Sequence, residues 1–181
     1  MSRAPVQLPL GVGLRDDATF ENYYTSELNA TLVQSLVDQI EAQGEPYLYL
    51  WGSAGSGKSH LLQAACHAAS DHDKRALYLP LADLGHFPPL MLEEIERLDV
   101  VVIDDLECVA GRKRWEEGLF HAFNRLRDAG KCLVIAANAS PRQLPVVLPD
   151  LASRLAWGVT FHLQPLDDEE RLGALKLRAK S

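Results

Sequence analysis

Leucine or isoleucine returns at every fourth position from residue 28 to residue 40 (Leu28, Leu32, Leu36, Ile40), with Val33 and Val37 alongside. The stripe predicts an amphipathic helix over Ser26–Gln43, which Gly44-Glu45-Pro46 ends. Beyond it the pattern alternates between two kinds of segment. Short apolar runs at Tyr47–Trp51, Arg75–Pro80, Val100–Asp104, Lys131–Ala137 and Gly158–Leu163 read as strands. Helical spacing fills the gaps at Lys58–Ser70, Leu90–Arg97, Arg114–Ala129 and, briefly, Asp150–Leu155, and a charged helix starts at Asp167. The unbroken apolar stretches Val100–Ile103 and Cys132–Ile135 belong in strands covered on both faces. This alternation predicts an α/β fold, a parallel sheet flanked by helices with its site at the carboxyl ends of the strands. Residues 1–15 are rich in Pro, Gly and Leu without a usable period and read as an extended tail; residues 16–181 read as one domain.

The first predicted strand runs straight into Gly52-Ser-Ala-Gly55-Ser-Gly57-Lys58-Ser59, a complete phosphate-binding P-loop. Its glycines let the backbone wrap a polyphosphate so that successive N–H groups point inward. Lys58 supplies a charge for the β- and γ-phosphates, Ser59 a hydroxyl for Mg²⁺, and the following helix its positive dipole end. A flexible Gly/Ser turn is the plain alternative; the strand before it and the periodic Leu61, Leu62 and Ala65 after it argue against that.

Composition narrows the class. With 181 residues and 47% hydrophobic content the chain can bury one substantial core. A net charge of −7 argues against a sequence-independent nucleic-acid binder. No window is long enough to span a membrane, and Val6–Leu14 is short and broken by Pro9, Gly11 and Gly13. Cys66, Cys108 and Cys132 are odd in number, widely spaced and apolar in setting, so they read as reduced, mostly buried thiols of a cytosolic protein. The six histidines show no paired ligand spacing.

Three further positions carry candidate chemistry. The strand Val100–Ile103 ends in Asp104-Asp105; Asp104 suits Mg²⁺ held through its water shell, and Asp105 suits orienting or deprotonating an attacking water. Read without the P-loop, the pair is two turn-forming aspartates. Asn138 follows the strand ending at Ala137 and can hydrogen-bond a γ-phosphate or the attacking water, or simply start the turn to Pro141. Arg154 is either a surface ion-pair partner or a finger that completes a neighbour's site.

Taken together, Gly55-Ser-Gly-Lys-Ser-His60-Leu61, Ile103-Asp-Asp-Leu106, Asn138 with Pro141, and Ser153-Arg154-Leu-Ala-Trp157-Gly158 resemble the AAA+ domain of the bacterial DnaA-type replication initiators. The resemblance covers about Asp16 to Leu177. It implies a P-loop AAA+ sheet in which Lys58 and Ser59 match Walker A, Asp104 and Asp105 Walker B, Asn138 sensor 1, and Arg154 the arginine finger. Gly52, Ala54, Gly55, Ser56, Gly57 and His60 then complete the nucleotide contacts, and Thr19-Phe20-Glu-Asn-Tyr23 resembles the segment packing near the adenine, through Phe20 and Tyr23. Family members carry a C-terminal helical lid, which is expected to be largely missing here.

Within the family the chain most resembles the Hda branch, which carries out regulatory inactivation of DnaA. Leu148–Leu155 and Glu107-Cys108-Val-Ala-Gly111 look like that branch, and Gln7-Leu8-Pro9-Leu10 resembles its sliding-clamp motif, with Gln7, Leu8 and Leu10 as the contacts. The resemblance implies a cytoplasmic, replisome-associated protein that binds ADP or ATP with Mg²⁺. Held on the clamp, it would use Arg154 to stimulate ATP hydrolysis by the initiator, its own hydrolysis staying weak. Direct nucleic-acid binding is expected to be slight, and self-association fits as well. A helicase-loader-like AAA+ module and a self-contained P-loop kinase remain alternatives.

Overall fold

The computed structural model describes residues 13–180; Gln7, Leu8 and Leu10 lie outside them. In chain order the elements are α1 (Ala30–Ile40), β1 (Tyr47–Trp51), α2 (Lys58–Asp71), β2 (Ala76–Pro80), α3 (Leu81–Leu84), β3 (Val100–Asp104), α4 (Lys113–Asp128), β4 (Cys132–Ala137), α5 (Pro149–Leu155), β5 (Val159–His162) and α6 (Asp168–Arg178). All strand pairs are parallel, in the order β2-β3-β4-β1-β5.

Strand alternation decides which helix covers which side chain. Tyr47, Tyr49, Val101, Ile103, Leu133 and Ile135 face one way, onto Trp115, Leu119, Phe123 and Leu126 of α4 and Leu151 and Leu155 of α5. Leu48, Leu50, Val100, Val102, Val134 and Ala136 face the other, onto Leu32, Leu36 and Ile40 of α1 and Leu61, Leu62 and Ala65 of α2. The apolar runs of β1, β3 and β4 are continuous because both faces are covered. Among the described residues no helix is long and apolar enough to cross a membrane.

Three expectations need correcting. The first helix starts at Ala30, four residues later than predicted. The buried Asn29 holds the preceding segment in turns: its Oδ1 accepts the Ser26 N–H at 2.7 Å, and its Nδ2 donates to the Tyr24 carbonyl at 3.3 Å. Leu28 therefore leaves the apolar stripe and is 72% exposed. Leu90–Arg97 is not a helix but two short 3₁₀ turns, Pro89–Leu92 and Ile95–Arg97, separated where Glu94 takes a left-handed φ of 60°. The break lets Met91, Leu92 and Ile95 all reach the core. Cys66 is buried as expected, but Cys108 is exposed, in a one-turn segment after β3 whose inward position goes to Leu106.

The last helix carries its own signals. The Asp167 side chain accepts the Glu170 N–H at 2.8 Å and Glu170 accepts the Asp167 N–H at 3.0 Å, a reciprocal cap. Acids at 168, 169 and 170 and bases at 176 and 178 complement the helix dipole. None of its residues is buried, and Leu172 and Leu175 face outward.

Candidate nucleotide site

The loop between β1 and α2 is held at the carboxyl edge of the sheet by its neighbours. Gly52 N–H donates to the Ala137 carbonyl at the end of β4 (3.2 Å), and Leu163 N–H donates to the Trp51 carbonyl (2.7 Å). A Cβ on Gly52 would collide with the Leu163 carbonyl oxygen, so no larger residue fits. Gly55 and Gly57 take positive φ values of 78° and 97°, which turn the backbone inward, and Gly57 caps α2. Ser56 Oγ is buried in the loop without a hydrogen-bond partner among the described residues. Lys58 is buried, its ammonium donating to the carbonyls of Gly52 (2.8 Å) and Ser53 (3.0 Å). A Gly-lined concave loop, an orphaned hydroxyl and a buried ammonium at a helix N-terminus fit a polyphosphate.

Asp104, at the tip of β3, faces this loop and is fully buried. Its Oδ2 accepts from Ser59 Oγ at 2.6 Å and from the Tyr78 hydroxyl at 2.8 Å, and its Oδ1 accepts from the Asp105 N–H at 2.9 Å. The donor set of one hydroxyl and one carboxylate is oxygen-only and suits Mg²⁺. Asp105 sits in a left-handed conformation, φ 56°. Burial, then the negative charges of Asp104 and Glu107, push its carboxyl up to about 6, while Lys58 pulls the other way. A half-buried acid poised there can take or hold a proton near neutral pH.

Asn138 begins just after Ala137, the residue that receives the Gly52 N–H, so it borders the P-loop. Its backbone N–H donates to Glu107 Oε2 at 3.1 Å, which ties the β4 tip to the turn after Asp105. The adenine-side expectation involves α1 and α2. The Tyr23 ring lies over Gly57 and 5.4 Å from the His60 ring, and its hydroxyl accepts from Asn29 Nδ2 at 3.3 Å. Burial pushes the Tyr23 phenol up to about 12. His60 Nε2 donates to the Thr19 carbonyl at 2.8 Å, its Nδ1 is buried without a partner among the described residues, and burial holds its pKa below the usual histidine value. Phe20 packs half-buried against the same side of the sheet. Helix α6 meets this segment at Gly173, which passes close to the Tyr24 ring.

Arg154 is not brought to this cluster. It lies in the last turn of α5, its guanidinium carbon 5.7 Å from the centre of the Trp157 ring. Trp157 forms one wall of a pocket with Pro46 and Tyr47 at the start of β1 and Lys131 near the start of β4. The Tyr47 hydroxyl donates to the Leu155 carbonyl at 2.9 Å, fixing the end of α5 to that edge. Strand β1 runs from Tyr47, beside that pocket, to Trp51 before the P-loop, four steps of about 3.3 Å or roughly 13 Å, so Arg154 stands at the end of the sheet away from the P-loop.

Two site residues escape sequence reasoning. Tyr78 joins Asp104 across 26 residues of chain, and only the β2–β3 pairing brings them together. Glu107 is visible as an acid near Asp105, but nothing local marks Asn138 as its donor.

The family described as the bacterial DnaA ATPase domain matches residues 90–162. Domain III of the Thermotoga maritima initiator DnaA is 28% identical with a TM-score of 0.79, over 92% of this chain and 75% of that one. The Aquifex aeolicus DnaA structure, solved with AMPPCP, is 27% identical with a TM-score of 0.79, over 92% of this chain and 56% of that one. A Neisseria meningitidis protein with a solution structure is 30% identical with a TM-score of 0.53, over 79% of this chain and 89% of that one. This chain thus spans three quarters of the isolated initiator domain and little more than half of the longer initiator structure.

Proposed function

The family match and the initiator structures support a DnaA-related AAA+ nucleotide-binding domain, and from that premise we propose a regulatory role in replication initiation. The chain holds ADP or ATP in its own P-loop and presents Arg154 to ATP bound by a DnaA-type initiator, which then hydrolyses it and becomes inactive. Gly52, Ala54, Gly55, Ser56 and Gly57 cradle the phosphates, and Lys58 neutralises them. Ser59 and Asp104 hold Mg²⁺, which supplies charge stabilisation at the phosphates when bound. Asn138 and Asp105 stand at the γ-phosphate end, while Phe20, Tyr23 and His60 close the base side.

The observation that carries the reading is the position of Arg154 beside Trp157, at the end of the sheet opposite the chain's own P-loop. A guanidinium there serves a phosphate on another molecule better than its own. In the partner's site it offsets charge developing on the transferred phosphoryl group, an effect worth about 10³–10⁵ in rate. The chain's own nucleotide is then mainly structural. Docking on the sliding clamp through Gln7, Leu8 and Leu10 belongs to the same proposal. The test is to mix the protein with clamp-loaded DNA and an ATP-loaded initiator. Wild type should accelerate hydrolysis and Arg154→Ala should not, at unchanged nucleotide affinity; equal stimulation by both would remove the finger.

A further inference from the structure

Glu116 is an acid on the inner face of α4, where the helical pattern calls for an apolar side chain. It is 1% exposed, on the face that buries Trp115 and Leu119. A carboxylate there is costly unless it is satisfied, and the partners it finds are backbone amides. Oε1 accepts the Gly111 N–H at 2.6 Å, Oε2 accepts the Leu148 N–H at 2.7 Å, and the Val147 N–H lies 3.1 Å from both oxygens.

The two segments so joined matter for the site. Gly111, at φ +83°, closes the turn that leaves Asp105 and Glu107. Val147 and Leu148 are the last residues before α5, with Leu148 at its N-cap. Helix α5 has seven residues, of which only Leu151 and Leu155 are buried, and Val147 points its side chain to solvent. Apolar contacts alone leave the entry of so short a helix free to pivot; the carboxylate pins it.

We propose that Glu116 is a positioning residue for Arg154: it anchors the start of α5 to α4 and to the turn after Asp105, and so sets where the guanidinium stands. The proposal rests on the reading of Arg154 as the group that acts on a partner's ATP. Gln keeps the shape of Glu but turns an NH₂ toward amide donors, so Glu116→Gln breaks the nest with little change of volume.

The test uses the full chain. Stimulation of initiator-bound ATP hydrolysis is compared for wild type, Glu116→Gln, Arg154→Ala and the double variant, alongside ADP affinity. Glu116→Gln should lower stimulation by up to about a hundredfold with ADP affinity unchanged, the expected effect of a misplaced group. The double variant should be no worse than Arg154→Ala, because Glu116 acts through Arg154. Losses that multiply in the double variant would overturn the proposal. Amide exchange decides it even if Arg154→Ala proves silent and the functional reading fails. Glu116→Gln should speed exchange of Val147, Leu148 and the α5 amides about tenfold, leaving β1 and β3 unchanged. Unaltered α5 exchange, or a uniform rise through the sheet, would overturn it. Glu116→Asp, which retracts the charge by one methylene, should give the same pattern more weakly and serves if Gln does not fold.

Discussion

Ser59 and Asp104, 45 residues apart in the chain, meet through a 2.6 Å hydrogen bond between the start of α2 and the tip of β3. One carboxylate oxygen receives both this hydroxyl and that of Tyr78. The P-loop and the acidic strand are thus joined directly at the place where the proposed Mg²⁺ would be held.

That contact predicts how magnesium dependence fails. Ser59→Ala should weaken Mg²⁺–ATP binding by roughly tenfold, about the worth of one charged hydrogen bond, and leave binding in EDTA nearly unchanged. Titration calorimetry with and without the metal reads both. An equal loss in each condition would mean that Ser59 supports the loop and not the ion.

Asp105 makes a pH prediction. Its carboxyl is raised from 3.8 to about 6 in the folded protein, so the native state binds that proton more tightly than the unfolded chain. Its contribution therefore favours folding as pH falls from about 6 toward 4 and penalises folding above 6. Asp105→Asn removes the penalty. It should stabilise the protein at pH 7.5 by up to about 1 kcal/mol, solvent screening of this half-exposed group considered, and the gain should vanish near pH 4. Thermal unfolding at the two pH values checks the sign.

Gly52 and Gly55 should respond differently to the same change. Gly52→Ala drives a methyl into the Leu163 carbonyl and should cost about 1–3 kcal/mol along with nucleotide binding. Gly55→Ala meets no atom of the described residues within 4 Å and should cost only the strain of its positive φ, roughly 1 kcal/mol. Unfolding curves of the two variants, read side by side, test the difference; equal losses would contradict the close approach at Gly52.

The thiols give a simpler check. Cys66 is buried and its pKa is pushed up to about 12 by burial, whereas Cys108 is exposed. A native thiol titration should show Cys108 reacting first and Cys66 only on unfolding. Rapid reaction at Cys66 would contradict its place on the buried, sheet-facing side of α2.

The strands were legible because burial on both faces writes itself as unbroken apolar runs. The bounds of β1 and β3 match the prediction, and their side chains divide between the two helical layers by simple alternation. The P-loop was legible because its glycines and lysine are consecutive. What sequence concealed is what forms only across the fold. Tyr78 meets Asp104 through strand pairing, Asn29 holds the turns that shorten α1, and Glu94 breaks an apolar stretch that has helical spacing. Glu116 falls on the inner stripe of α4, and what satisfies an acid there appears only with the amides of Gly111, Val147 and Leu148 around it.

We propose that Arg154 acts on ATP held by another protein. The most direct test is single-turnover hydrolysis of labelled ATP preloaded on a DnaA-type initiator, with this chain and clamp-loaded DNA added in excess. Wild type should accelerate the turnover, and Arg154→Ala should lose that acceleration by about 10³ or more while still binding ADP normally. Full acceleration by Arg154→Ala would contradict the account.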